Sequence, residues 1–160
     1  MIRRFALTLA LMLTITTLAT LAQDAGFVVF PSEYRDWYQH HTTVNLKGHT
    51  PEGEVGIQNV YVNAAARAGL HTGNFDDGAI FVVDRFSYKD EGNNTLKQDA
   101  RKVVAVMLRD ADRYKETGGW GFQAFKGGDP NTPVVTDGGV ACFACHAPHA
   151  DNSFLFTRAK

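Results

Sequence analysis

The chain has 160 residues, with 16 Lys and Arg against 17 Asp and Glu and a formal net charge of −1. That balance, with no basic run and no interleaving of aromatic with basic residues, excludes a nucleic-acid-binding surface. Two cysteines are too few for a disulfide-stapled scaffold, so apolar packing has to hold the fold together.

Arg3 and Arg4 precede an apolar run, 5–18, that carries no charge and is broken only by threonines. Thr20-Leu21-Ala22 then places small residues where a signal peptidase reads. The pattern predicts a secretory signal peptide over 1–22 and a periplasmic location. The run is about 14 residues long, short of the about 20 that a spanning helix needs. Residues 23–160 then form one domain with a single core. They carry 14 basic against 17 acidic residues, a net charge near −3.

Residues 27–31 are apolar and read as an arm against the body. Tyr34-Arg35-Asp36-Trp37 reads as a helical turn capped by Ser32. His40-His41-Thr42-Thr43-Val44 follows; its histidines are candidate iron ligands, although hydrogen-bonded or surface histidines are the commoner case. The stretch 47–54 holds two glycines and a proline and reads as a loop. Residues 55–62 are β-branched and predict a strand. Asn63 is a candidate N-cap for a short helix over 64–70, ended by Gly69 and Gly73. Asn74-Phe75-Asp76-Asp77-Gly78 is a turn cluster. The second strand is 79–88, and its run Ile80-Phe81-Val82-Val83 predicts burial on both faces. A polar hairpin loop over 89–99 leads to a third strand, 101–108. Asp110 is placed to cap a charged helix over 111–116, stopped by Gly118-Gly119. A fourth strand, 120–125, precedes a Gly/Pro-rich loop over 126–139. Residues 154–157 read as a final strand or arm. The fold class predicted is α+β, mainly β: an antiparallel sheet with short helices and a C-terminal haem-binding segment.

That last assignment rests on Cys142-Phe143-Ala144-Cys145-His146. C-x-x-C-H is the signature of covalent c-type haem attachment. Each thiol adds to one vinyl group, and the adjoining imidazole can bind iron. A disulfide or redox pair is one alternative. A partial zinc site with His146 or His149 is another, but no third cysteine completes it. One haem c per chain, held by Cys142, Cys145 and His146 with His146 on the metal, is therefore expected. No methionine follows His146, and Met107 lies in an apolar strand where core packing is its expected role. A His–Met electron carrier is disfavoured, and five-coordinate iron is expected. Four long helical patterns are missing, which excludes a four-helix bundle.

Several stretches together resemble one family over nearly all of 23–160. They are Tyr34-Arg35-Asp36-Trp37, Val60-Tyr61-Val62-Asn63, Thr72-Gly73-Asn74-Phe75-Asp76-Asp77-Gly78, Asp110 through Trp120-Gly121-Phe122, Ala141-Cys142-Phe143-Ala144-Cys145-His146, and Phe156-Thr157-Arg158. The family is that of cytochrome P-460 and cytochrome c′-β. The resemblance implies a β-rich homodimer, each subunit holding one c-type haem with a proximal histidine and an open distal face. It also implies a division by distal chemistry. The P-460 branch carries a lysine cross-linked to the haem and oxidises hydroxylamine; the matching position here is Val83. A distal carboxylate of that branch matches Ala105. Lys89 shares the strand parity of Val83 but lies six residues on, about 20 Å along an extended strand.

Both departures remove groups that proton-coupled oxidation uses, a contribution of about 10²–10⁴-fold. What is left is an apolar distal face with Phe81 and Val83 on one side of their strand, and Phe81 is the candidate cap. Such a face admits neutral NO or CO. The chain is thus similar to the c′-β branch: a periplasmic haem protein that binds NO or similar gases, for scavenging or buffering. One alternative is a P-460-type oxidoreductase acting on hydroxylamine. Another is an electron-transfer cytochrome c with a sixth ligand from His40, His41, His49 or His71; its redox partner is not legible. Arg101 and Arg158 are candidate partners for the haem propionates, surface charge being the commoner role for either alone.

Overall fold

The computed structural model describes residues 28–157. The expected signal peptide over 1–22, and Arg158, lie outside the described residues. Five strands form one antiparallel sheet in sequence order: Tyr38–Asn45 (β1), Gly56–Val62 (β2), Ile80–Asp90 (β3), Leu96–Arg109 (β4) and Trp120–Lys126 (β5). Two helices accompany it, Ala64–Thr72 (α1) and Val140–His146 (α2), together with short 3-10 turns. The class is α+β, mainly β, as the strand pattern predicts.

Alternation along the strands gives the sheet two packed faces. One face presents Val60, Val62, Phe81, Met107 and Phe122 to α1 through Ala66 and Leu70. The other presents Val82, Val104, Val106 and Phe125 to the N-terminal arm through Val28 and Tyr34. Phe30 adds an edge-on contact to Phe125 at 5.0 Å. The apolar run of β3 is therefore buried on both sides, with Phe81 and Val82 both in the core.

Asn63 starts α1 as its composition predicts: its side-chain oxygen accepts from Ala66 N at 2.9 Å. The same oxygen accepts from Ile80 N at 3.1 Å, which ties the helix start to the start of β3.

Other elements depart from expectation. β1 was not predicted as a strand; its polar histidine–threonine sequence lacks apolar alternation, and pairing with β2 alone makes it extended. The turn Tyr34–Asp36 is 3-10 and has no Ser32 cap; the Ser32 hydroxyl donates to Glu33 instead. The hairpin loop is shorter than 89–99, because β3 and β4 continue as a solvated ribbon to Asp90 and from Leu96. The helix expected over 111–116 is only a turn followed by the 3-10 segment Lys115–Thr117, although Asp110 does accept from Arg113 N at 3.0 Å. Of the two readings for residues 154–157, strand or arm, the irregular segment is the arm.

Candidate functional site

α2 carries the cysteine motif, and local chemistry explains where it starts. Gly139 precedes it in the left-handed region, at φ 89°. A Cβ there would sit 3.0 Å from Phe122 Cβ, so glycine is required twice over. Asp137 accepts from Gly139 N at 3.0 Å and from Ala141 N at 2.8 Å, satisfying donors the first turn leaves open. The bond from Ala141 N, with that from Gly139 N, holds the Asp137 carboxyl below the ordinary range. Cys142 and Cys145, three apart, share a helix face. They form no disulfide with each other. Cys142 packs against the sheet cluster; burial pushes its thiol up, and the Asp137 charge adds to that.

His146 closes α2, and its Nδ1 lies 2.7 Å from the Phe154 carbonyl oxygen. A carbonyl only accepts, so Nδ1 carries the proton and Nε2 keeps its lone pair. The ring lies against Phe122 and Phe156, at centroid distances of 5.0 and 4.8 Å. Burial lowers the pKa of the imidazole, opposed by the bond to Phe154, and so favours the neutral, ligating form.

The Phe154 carbonyl is delivered by unusual backbone. After the 3-10 stretch Ala147–Asn152, Ser153 and Phe154 both take positive φ, 55° and 64°. Such residues cost about 1–3 kcal/mol and persist only where their surroundings hold them. Asn152 Nδ2 supplies part of that hold, donating to the Leu155 and Thr157 carbonyls at 2.6 and 2.9 Å. Gly118 supplies more, because a Cβ there would lie 2.6 Å from the Phe154 ring.

α2 and the segment after it face a cavity of about 700 Å³ whose other wall is the sheet. Strand register sorts that wall into rows. Phe81, Met107 and Phe122 form the first, on neighbouring strands. His41, Val60, Val83, Ala105 and Ala124 form the second. Thr43, Gln58 and Arg85 continue into a third. The wall thus passes from large aromatic, through small apolar, to polar. The small middle row leaves room for a flat group.

All six residues singled out from the sequence line this one cavity: Phe81, Val83, Ala105, Cys142, Cys145 and His146. Val83 and Ala105 are direct cross-strand partners. Met107 is core-packed, as expected, and also lines the cavity. Among the described residues no lysine lines it. Lys89 instead pairs with Asp99 at 3.0 Å on the distant hairpin. Of the candidate histidines, His41 and His49 line the cavity, whereas His40 and His71 do not.

Two expectations need correction. The face is not apolar throughout, because Glu54, Gln58 and Arg85 line its far end, joined by the Arg85–Glu54 ion pair. Parity along β3 was a usable signal for Arg85, two residues past Val83; Glu54 lies in an aperiodic loop and gave none. Arg101 does not face the cavity. It pairs with Asp84 at 2.9 Å on the opposite side of the sheet, because Asp84 has the other strand parity.

A family model described as Cytochrome P460 matches residues 31–157. No curated protein matches the chain.

Proposed function

The chain belongs to the cytochrome P460 family, which makes it a haem cytochrome, and from that premise we propose that it carries one covalently attached haem c and binds NO or a similar neutral gas. In this reading the signal peptide exports the chain to the periplasm, where it works as a homodimer that scavenges or buffers NO. The donor set fits the group. Cys142 and Cys145 supply two thiols from one helix face, His146 presents a neutral Nε2, and the row Val83–Ala105–Ala124 leaves space beside them.

The observation that carries the reading is the His146–Phe154 bond. It holds the His146 imidazole in the tautomer whose Nε2 would bind iron, while Val83 and Ala105 leave the sheet wall without a cross-linking amine or a carboxylate at those positions. Haem, when bound, would supply an iron able to take a diatomic ligand. The protein's part is to hold the imidazole, exclude bulk water with Phe81, Met107 and Phe122, and keep the plate in one orientation. These features favour the c′-β branch.

Glu54 favours a second reading, oxidation of hydroxylamine, because a carboxylate does line the cavity. Its pairing with Arg85 and the lack of a lining lysine weigh against that chemistry. The test is the absorption spectrum of protein matured in a periplasm, ferric and then dithionite-reduced. A high-spin spectrum with an ordinary ferrous Soret band, followed by saturable NO binding, is the expected result. A low-spin spectrum would make His41 or His49 a sixth ligand. A strongly red-shifted ferrous band would reveal a cross-link and make hydroxylamine oxidation the function.

A further inference from the structure

The cavity end farthest along β3 from Phe81 holds a buried cation whose pairing is incomplete. Arg85 is 11% exposed. One terminal nitrogen donates to Glu54 and to the Gln58 side-chain oxygen, the latter at 3.2 Å; the other donates to the Gly53 carbonyl at 3.3 Å. Its Nε is buried and, among the described residues, has no hydrogen-bond partner. A buried N–H left without an acceptor is destabilising, so the site is short of one acceptor.

Haem is an asymmetric plate, with vinyl groups at one side and two propionate carboxylates at another. The thiols take the vinyl side. Cys142 packs against the cluster that contains Phe81, Met107 and Phe122. From Phe81 to Arg85 β3 advances four residues, about 14 Å. A plate anchored near the first row, lying over Val83 and Ala105, brings its carboxylate side toward Arg85.

We propose that Arg85 is the receptor for a haem propionate, a small shift of its guanidinium bringing Nε to the carboxylate for the bond that Glu54 and Gln58 leave open. Those two residues hold the guanidinium in place and aim it. The assignment rests on the haem reading above and replaces Arg101, whose charge is spent on Asp84 across the sheet. A planar guanidinium with several fixed donors suits a carboxylate better than a lysine would.

The test compares haem-loaded wild type with Arg85→Gln and with the control Arg35→Gln on the opposite face. The readouts are the propionate bending band in the resonance Raman spectrum and the pH at which the propionate titrates. Arg85→Gln is expected to shift the band and to raise the titration by about one pH unit or more, while Arg35→Gln leaves both unchanged. If Arg85→Gln does not mature, Glu54→Ala serves: removing the acceptor of one Arg85 nitrogen should shift the band in the sense of a stronger hydrogen bond. An unchanged band in either haem-loaded variant overturns the assignment. So does an effect of added acetate or nitrite on the wild-type spectrum that Arg85→Gln abolishes while its propionate band stays at the wild-type position, since Arg85 would then serve a free anion. Protein that shows no haem c haemochrome overturns both this assignment and the reading beneath it.

Discussion

Phe81 stands in two environments at once. Its ring packs edge-on to Phe75 at 5.5 Å and to Trp120 at 6.0 Å, and it also lines the cavity. Phe81→Ala should therefore lower stability by about 3 kcal/mol in urea unfolding and speed NO association in stopped flow; an unaltered on-rate would leave it a core residue only. Asp84 is the opposite case, a charge held wholly inside at 1% exposure. It accepts from Tyr34 Oη at 2.6 Å and pairs with Arg35 and Arg101, each at 2.9 Å. Asp84→Asn strips the charge from two guanidinium partners and should cost about 2–3 kcal/mol, below the fully buried case because Arg35 is half exposed. Equal urea midpoints for the variant and the wild type would show that the cluster adds nothing to stability.

At the scale of elements, α2 depends on Asp137. Its carboxyl is held below the ordinary value of about 4. A depressed folded pKa means the bonds contribute fully above that value and fade as pH falls through the depressed one. Amide protection at Ala141 should hold at neutral pH and collapse only below about pH 4, whereas Asp137→Ala should lack it throughout. Persistent protection in that variant would mean α2 needs no such cap. The sequence made some elements legible and hid others for physical reasons. β2, β3 and β4 announce themselves through β-branched runs, and α1 through Asn63. β1 is polar and becomes a strand only because β2 is beside it. The charged stretch after Asp110 has the composition of a helix, but it winds as a turn and then the 3-10 segment Lys115–Thr117, which Gly118 stops in the left-handed region. In the site, Cys142, Cys145 and His146 were legible because their spacing is their chemistry. Glu54 and the Phe154 carbonyl were not: one comes from a loop without period, the other from a backbone group whose direction depends on two residues at positive φ.

At the scale of the whole molecule, the sheet and the segment that carries the cysteine motif meet in one core cluster, through Leu155 and Cys142. Replacing both cysteines with alanine should leave any haem extractable by acid acetone, and far-UV circular dichroism should still report the sheet. Covalent haem persisting in that variant would refute thioether attachment at these positions. The order β1-β2-β3-β4-β5 means that each strand pairs with its neighbour in sequence. Among β topologies, sequential pairing keeps contacts comparatively local, so less chain entropy is lost before each pair forms. The segment that closes the cavity behaves differently: the contact between Thr157 and His41, at 3.3 Å, joins residues 116 positions apart. That separation sets a timetable for maturation. The sheet wall can form first; under the proposed thioether attachment α2 would stay undocked with both thiols accessible until the cofactor is joined, and closing the segment would be the step that ends biogenesis.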